Sequence, residues 1–101
     1  MNQLPLPDDA ADDPDAQEMA RIWVTHSDLL VSLNVGVYGG ADGPGETTAW
    51  GDILADTIKH LARAVGQRYD SSPLKAQNEI LARCTEALAA YEKQFSGNIK
   101  L

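Results

Sequence analysis

Three residues of the segment Ala49–Val65 carry the side chains most suited to chemistry. Asp52, Asp56 and His60 stand at i, i+4 and i+8. At about 100° per residue, a helix would gather them within an arc of about 80°. A carboxylate one turn before a histidine can orient the imidazole, and two carboxylates with an imidazole can bind a divalent metal. Arg63 lies in the same arc, and Lys59 is close by. The plainer expectation is a solvated face on which Asp56 pairs with His60, Lys59 or Arg63, because this arc points away from the apolar stripe of the same helix.

A second stretch invites a nucleotide. GADGPGET, Gly40–Thr47, differs at one position from the phosphate-loop pattern G-x-x-x-x-G-K-[ST]. The odd residue is Glu46, which places a negative charge where the pattern requires a lysine. Two like charges about 4 Å apart repel by roughly 4 kcal/mol at an effective dielectric of 20. A nucleotide fold also needs parallel strands joined by crossover helices, for which this chain lacks room. The expectation is therefore a glycine-rich turn stiffened by Pro44. Thr47 or Thr48 then caps the following helix, and Glu46 sits near its positive end.

The elements that hold these residues follow from hydrophobic period. ARIWVTH (20–26) and LLVSLNVGVY (29–38) alternate at period two and read as a β-hairpin. A turn at Ser27-Asp28 sets Val24 opposite Val31, Ile22 opposite Leu33 and Ala20 opposite Val35, with both aliphatic rows on one face. The reverse face holds Arg21, Trp23, Thr25, Ser32, Asn34 and Tyr38. Trp23 and Tyr38 are the candidates for partner contact, since aromatics are enriched where surfaces become buried. His26 is expected at the exposed turn.

A first helix spans Ala49 to Val65, with Trp50, Leu54, Thr57, Ile58, Leu61 and Val65 on its apolar face and Gly66 as terminator. Gly51 in its first turn is expected to mark close approach to the sheet or to another subunit. Ser72-Pro73 opens a second helix, serine as cap and proline in the first turn. Its stripe is Leu74, Leu81, Cys84, Leu88, Tyr91 and Phe95, widened by Ile80 and Ala87, with Gly97 as its end. Cys84 is expected to be an inert core thiol.

Order and pattern define an α+β protein, an antiparallel β-hairpin followed by two α-helices packed on one face (β-β-α-α). Residues 1–18 contain three prolines and six acids with no base, and read as a disordered acidic leader. Leu4-Pro5-Leu6-Pro7 in it could present a polyproline II segment. The domain is expected over 19–101. Net charge is −7, but outside the leader nine acids nearly balance eight bases, which argues against nucleic-acid binding. No run of about 18 apolar residues suggests a membrane span, and no basic-then-apolar leader suggests export. A cytoplasmic protein without cofactor is the expectation.

R-I-W-V, V-S-L-N-V-G-V-Y and A-W-G-D-I-L-A-D-T-I-K-H-L-A-R-A resemble a family of short proteobacterial proteins catalogued as a domain of unknown function. The resemblance covers about residues 19–65 and extends weakly into the final helix. Its distinctive piece is W-G-x-x-L-x-D-x-x-x-H, here Trp50, Gly51, Leu54, Asp56 and His60. The loop 39–47 is longer than the resemblance leads one to expect. It brings no activity, but implies that Trp50, Asp56 and His60 act together as a structural anchor.

An isolated two-stranded ribbon is poorly stable in water. Two helices can cover its aliphatic face, but its edges stay open unless the leader adds a strand, and open edges pair. A homodimer is therefore expected, by sheet extension, through the Trp23/Tyr38 face or between helices. The leading expectation is a non-enzymatic interaction or ligand-binding module. The alternative is a metal-assisted or acid–base enzyme using Asp52, Asp56 and His60.

Overall fold

The computed structural model describes residues 1–40, 43, 45–90 and 99–101. The chain is an α+β protein in which a β-hairpin precedes two long helices. The order is α1 (Asp8–Ala11), β1 (Ala20–Val24), β2 (Leu29–Leu33), α2 (Glu46–Tyr69), α3 (Pro73–Ala89) and β3 (Ile99–Lys100). Expected positions at Ala41, Asp42, Pro44, Tyr91, Phe95 and Gly97 lie outside the described residues.

The hairpin is antiparallel, but its register differs by two residues from the expected one. Ala20 faces Leu33, Ile22 faces Val31 and Val24 faces Leu29. The cause is Thr25, whose hydroxyl accepts from the Asp28 amide at 3.1 Å while its own amide donates to the Asp28 carbonyl at 2.8 Å. That closes a four-residue loop, Thr25–Asp28, in place of a two-residue turn. A slip of two preserves the faces, so both aliphatic rows still share one side. The leader supplies no third strand. Instead β3 pairs in parallel with the far edge of β2, Val31 beside Ile99 and Ser32 beside Lys100. Ile99-Lys100-Leu101 is too short to register as a period.

The leader, read from composition as disordered, holds the single turn α1. Its end is tied to Asn34, the residue after β2. The Asn34 side chain donates to Gln17 Oε1 and to the Glu18 carbonyl, both at 3.3 Å, and the Asn34 amide donates to the Met19 carbonyl at 2.9 Å.

Helix α2, expected over Ala49–Val65, starts earlier and ends later than its sequence signals. Gly45, at φ +92°, stands at the N-cap with no side-chain cap, so neither Thr47 nor Thr48 caps it. Gly66 does not terminate α2, which runs to Tyr69 and closes at Asp70 in the left-handed region, φ 52°. Gly66 serves a different purpose. A β-carbon there would stand 2.8 Å from the Ser71 carbonyl oxygen and 3.2 Å from Pro73 Cγ, so glycine lets the turn into α3 cross the helix. The Gly66 carbonyl also accepts from the Ser71 amide at 3.0 Å. At the start of α3, Ser72 Oγ accepts from the Lys75 amide, with Pro73 in the first turn, as the sequence indicates.

Helix α2 packs on α3, and the strands pack on each other. The seam between the helices is made of small residues: Ala62, Gly66 and Ala76 are buried. Among the described residues, the buried apolar side chains are Ala49, Ala62 and Ala76, all alanines. The aliphatic row of the hairpin stays open, with Ile22 64% and Val24 81% exposed. So do Leu54 and Leu61 on α2, and Leu74, Leu81 and Leu88 on α3. Cys84, expected in the core, is exposed as well. It lies about 80° around α3 from Ala76, beyond the side that meets α2. The radius of gyration is 15.6 Å, against about 13 Å for a compact domain of this length.

Candidate functional site: the Glu46 anchor and the open β1 edge

The best-defined polar constellation centres on Glu46. Its Oε1 accepts from the Gly36 amide at 2.9 Å and the Tyr38 amide at 2.8 Å, and its Oε2 accepts from Trp50 Nε1 at 3.0 Å. Gly36 makes the arrangement accessible, because at φ +112° it turns the chain so that two nearby amides point at one oxygen. Trp50 is one helical turn after Glu46 and closes the other side. The residue that spoils the phosphate-loop pattern is thus itself the anion. Its carboxylate occupies a small cradle of N–H donors and fastens the loop after β2 to the first turn of α2. Glycine at 45 leaves the helix without a side-chain cap, and Glu46 turns outward to the loop.

The Asp52, Asp56 and His60 set is only partly assembled. His60 Nε2 lies 3.5 Å from Asp56 Oδ2, with both side chains more than 70% exposed. Asp52 is exposed and does not join them, and among the described residues no three His, Cys, Asp or Glu side chains stand where they could hold a metal ion. Trp50 bonds to Glu46 and is not part of the Asp56–His60 pair, so the three residues of the motif form two separate contacts. Gly51 meets no close neighbour: a β-carbon there would find nothing within 4 Å in the protomer.

Trp23 and Tyr38 are half-buried. Trp23 pairs across the hairpin with Leu30, and Tyr38 enters the anchor through its amide. His26 is exposed in the hairpin loop.

Sequence reasoning left both hairpin edges open; β3 takes the edge of β2, and the outer edge of β1 is the one left. In the sheet order β1-β2-β3 this edge has no paired strand among the described residues. A cleft of about 630 Å³ runs beside it, walled by Leu4, Pro5 and Leu6 of the leader and by Ala20, Ile22 and Trp23. Arg21 at its rim is held by Glu18, Nη2 to Oε2 at 2.9 Å. A smaller cleft of about 230 Å³ adjoins the first, sharing Glu18 and Ala20 and reaching Met19, Asn34 and Lys100.

A hairpin with a parallel third strand, a carboxylate-anchored loop and a helical pair define a small α+β protein. The chain belongs to the domain of unknown function DUF5076, whose family model matches residues 3–90. That match begins inside the leader, well before the 19–65 stretch that carried the sequence resemblance. No curated protein matches. Among solved structures, the chain is similar to one described as "Structure of a putative pyruvate dehydrogenase from the photosynthetic bacterium Rhodopseudomonas palustrus CGA009". The two share 24% identity with a TM-score of 0.68, over 90% of this chain and 86% of the other. Likeness at that identity is a likeness of fold.

Proposed function

We propose that this protein is a non-enzymatic homodimeric module that works in the cytoplasm by contact with a protein or small ligand. The supporting observation is the mismatch between buried and exposed apolar surface. Among the described residues the protomer buries three alanines, while Ile22, Val24, Leu54, Leu61 and the leucines of α3 face water, a thin core for a domain of this size. Exposed apolar area on that scale marks an interaction surface. A second copy is a partner always present in equal amount. No helix among the described residues is long and apolar enough to cross a membrane, so lipid does not account for this surface through a helical span. Sedimentation velocity from about 1 to 100 μM tests the reading. A species of twice the 10.9 kDa chain mass is expected; a single 10.9 kDa species throughout that range refutes it.

A further inference from the structure

The hydrogen-bond pattern of the hairpin identifies which backbone groups of β1 are free. The Asn34 amide bonds to the Met19 carbonyl, and the Thr25 amide to the Asp28 carbonyl. These pairs, 19 with 34 and 25 with 28, lie on the same register as the ladder between them. Bonded pairs in an antiparallel ladder recur every second residue, so Arg21 and Trp23 spend their N–H and C=O groups on β2, in phase with the Met19 carbonyl and Thr25 amide bonds that flank them. Ala20, Ile22 and Val24 therefore point theirs outward, along the open edge. The same three residues carry the exposed aliphatic row.

The strand itself carries none of the usual protections, and a second copy would take this edge by displacing leader residues 2–7 from beside it. It has no proline and no lysine, and its one charge, Arg21, is on the other face and already paired with Glu18. The leader stands across a cleft from it, yet among the described residues no backbone hydrogen bond joins leader to β1. The edge is also self-complementary. If two β1 strands run antiparallel about an axis at Ile22, each Ala20 meets the other strand's Val24, a small residue beside a larger one. Ile22 meets its own copy. On the reverse face each Arg21 meets the other strand's Trp23, a guanidinium beside an indole.

We propose that two copies of this chain join edge to edge through β1, with the two-fold axis at Ile22. The result is one six-stranded sheet in the order β3-β2-β1-β1-β2-β3. Six backbone hydrogen bonds form, two at Ile22 and two at each Ala20–Val24 pair, and the aliphatic rows merge into a continuous face. This inference rests on the dimer reading above and specifies its surface.

The test is Ile22→Pro. Proline removes an N–H that points outward and takes no part in the β1–β2 ladder, so the hairpin keeps its own bonds. The dissociation constant should rise at least about tenfold, the effect of losing 1.4 kcal/mol of hydrogen bonding, with the far-UV circular dichroism of the protomer retained. Independently of folding effects, Ile22→Cys in a Cys84→Ser background should oxidise to a covalent dimer. Directly bonded pairs hold their α-carbons about 5.5 Å apart, within disulfide range. Val24→Cys in the same background should not, since the two positions would stand about 14 Å apart along the strands. A parent dimer in which Ile22→Cys fails to crosslink and Ile22→Pro leaves sedimentation unchanged uses another surface. That result overturns this proposal and spares the dimer. A parent that is monomeric throughout removes both.

Discussion

Replacing Glu46 by alanine should loosen the junction between sheet and helices more than any other single surface-loop change. Three N–H groups converge on its carboxylate, at 2.9, 2.8 and 3.0 Å. A hydrogen bond to a charged acceptor contributes about 1.5–3 kcal/mol when shielded from water. Glu46 is half-buried, so water replaces part of what is lost, and the change should cost about 2–3 kcal/mol rather than three full bonds. For a domain of this length that lowers the melting temperature by on the order of 10–20 °C at fixed protein concentration. Glu46→Gln should cost less, about 1–2 kcal/mol. Its amide oxygen can keep the two loop amides, but its NH₂ then meets the Trp50 indole N–H, donor against donor. Trp50→Phe removes one bond, and a double-mutant cycle with Glu46→Ala should return a coupling of about 1 kcal/mol. Urea denaturation followed by tryptophan fluorescence and by far-UV circular dichroism provides the values. If Glu46→Ala melts within 2 °C of the parent, a margin below about 0.5 kcal/mol, the anchor carries no weight and the account of loop 36–38 fails.

Three further substitutions separate structural claims. Gly66→Ala should destabilise by about 2–3 kcal/mol in thermal melts, since its β-carbon would press on the Ser71 carbonyl oxygen, a backbone atom that cannot swing away. Gly51→Ala should stabilise by about 1 kcal/mol, because an open helical glycine costs backbone entropy and nothing in the protomer fills the space; a loss of stability that grows with protein concentration would place a partner there instead. His60→Ala should change stability by less than about 0.5 kcal/mol, as an exposed pair with Asp56 contributes little. Zinc titration of parent and His60→Ala by calorimetry should give matching, featureless heats, and a His60-dependent binding step would restore the metal reading.

Local patterns were read where the physics is local. The period-two rows over 20–24 and 29–33 required a hairpin with both rows on one side, and that holds even though Thr25 enlarges the loop and shifts the pairing by two. Ser72-Pro73 opened α3 as a cap-and-proline pair should. The pairing of Asp56 with His60 follows from a spacing of four on a helix. The cues failed where one residue type serves two ends. Gly66 satisfies the rule for a helix terminator, but here it permits a close crossing, and Asp70 in the left-handed region ends the helix. Thr47 and Thr48 satisfy the rule for caps, yet the helix begins one residue before them. Cys84 and the leucines of α3 satisfy the rule for a core stripe, which the protomer leaves facing water because α3 meets α2 along the narrow side bearing Ala76.

The Glu46 anchor was half visible. That a glutamate stands at the lysine position of a phosphate loop was plain in the sequence and argued against a nucleotide; that it satisfies the amides of Gly36 and Tyr38 was not. Those amides lie eight and ten residues back, and the direction of an N–H depends on backbone angles that composition does not encode. By itself the sequence determined the elements, their order and the faces on which apolar side chains gather, because period and capping act over a few neighbours. The tertiary structure alone decided that β3 returns to β2, which of the two hairpin edges is left, and that among the described residues the apolar faces stay unsealed. Each of these depends on where distant segments meet, and the free energy of such meetings lies in the summed packing of many side chains rather than in any short stretch of chain.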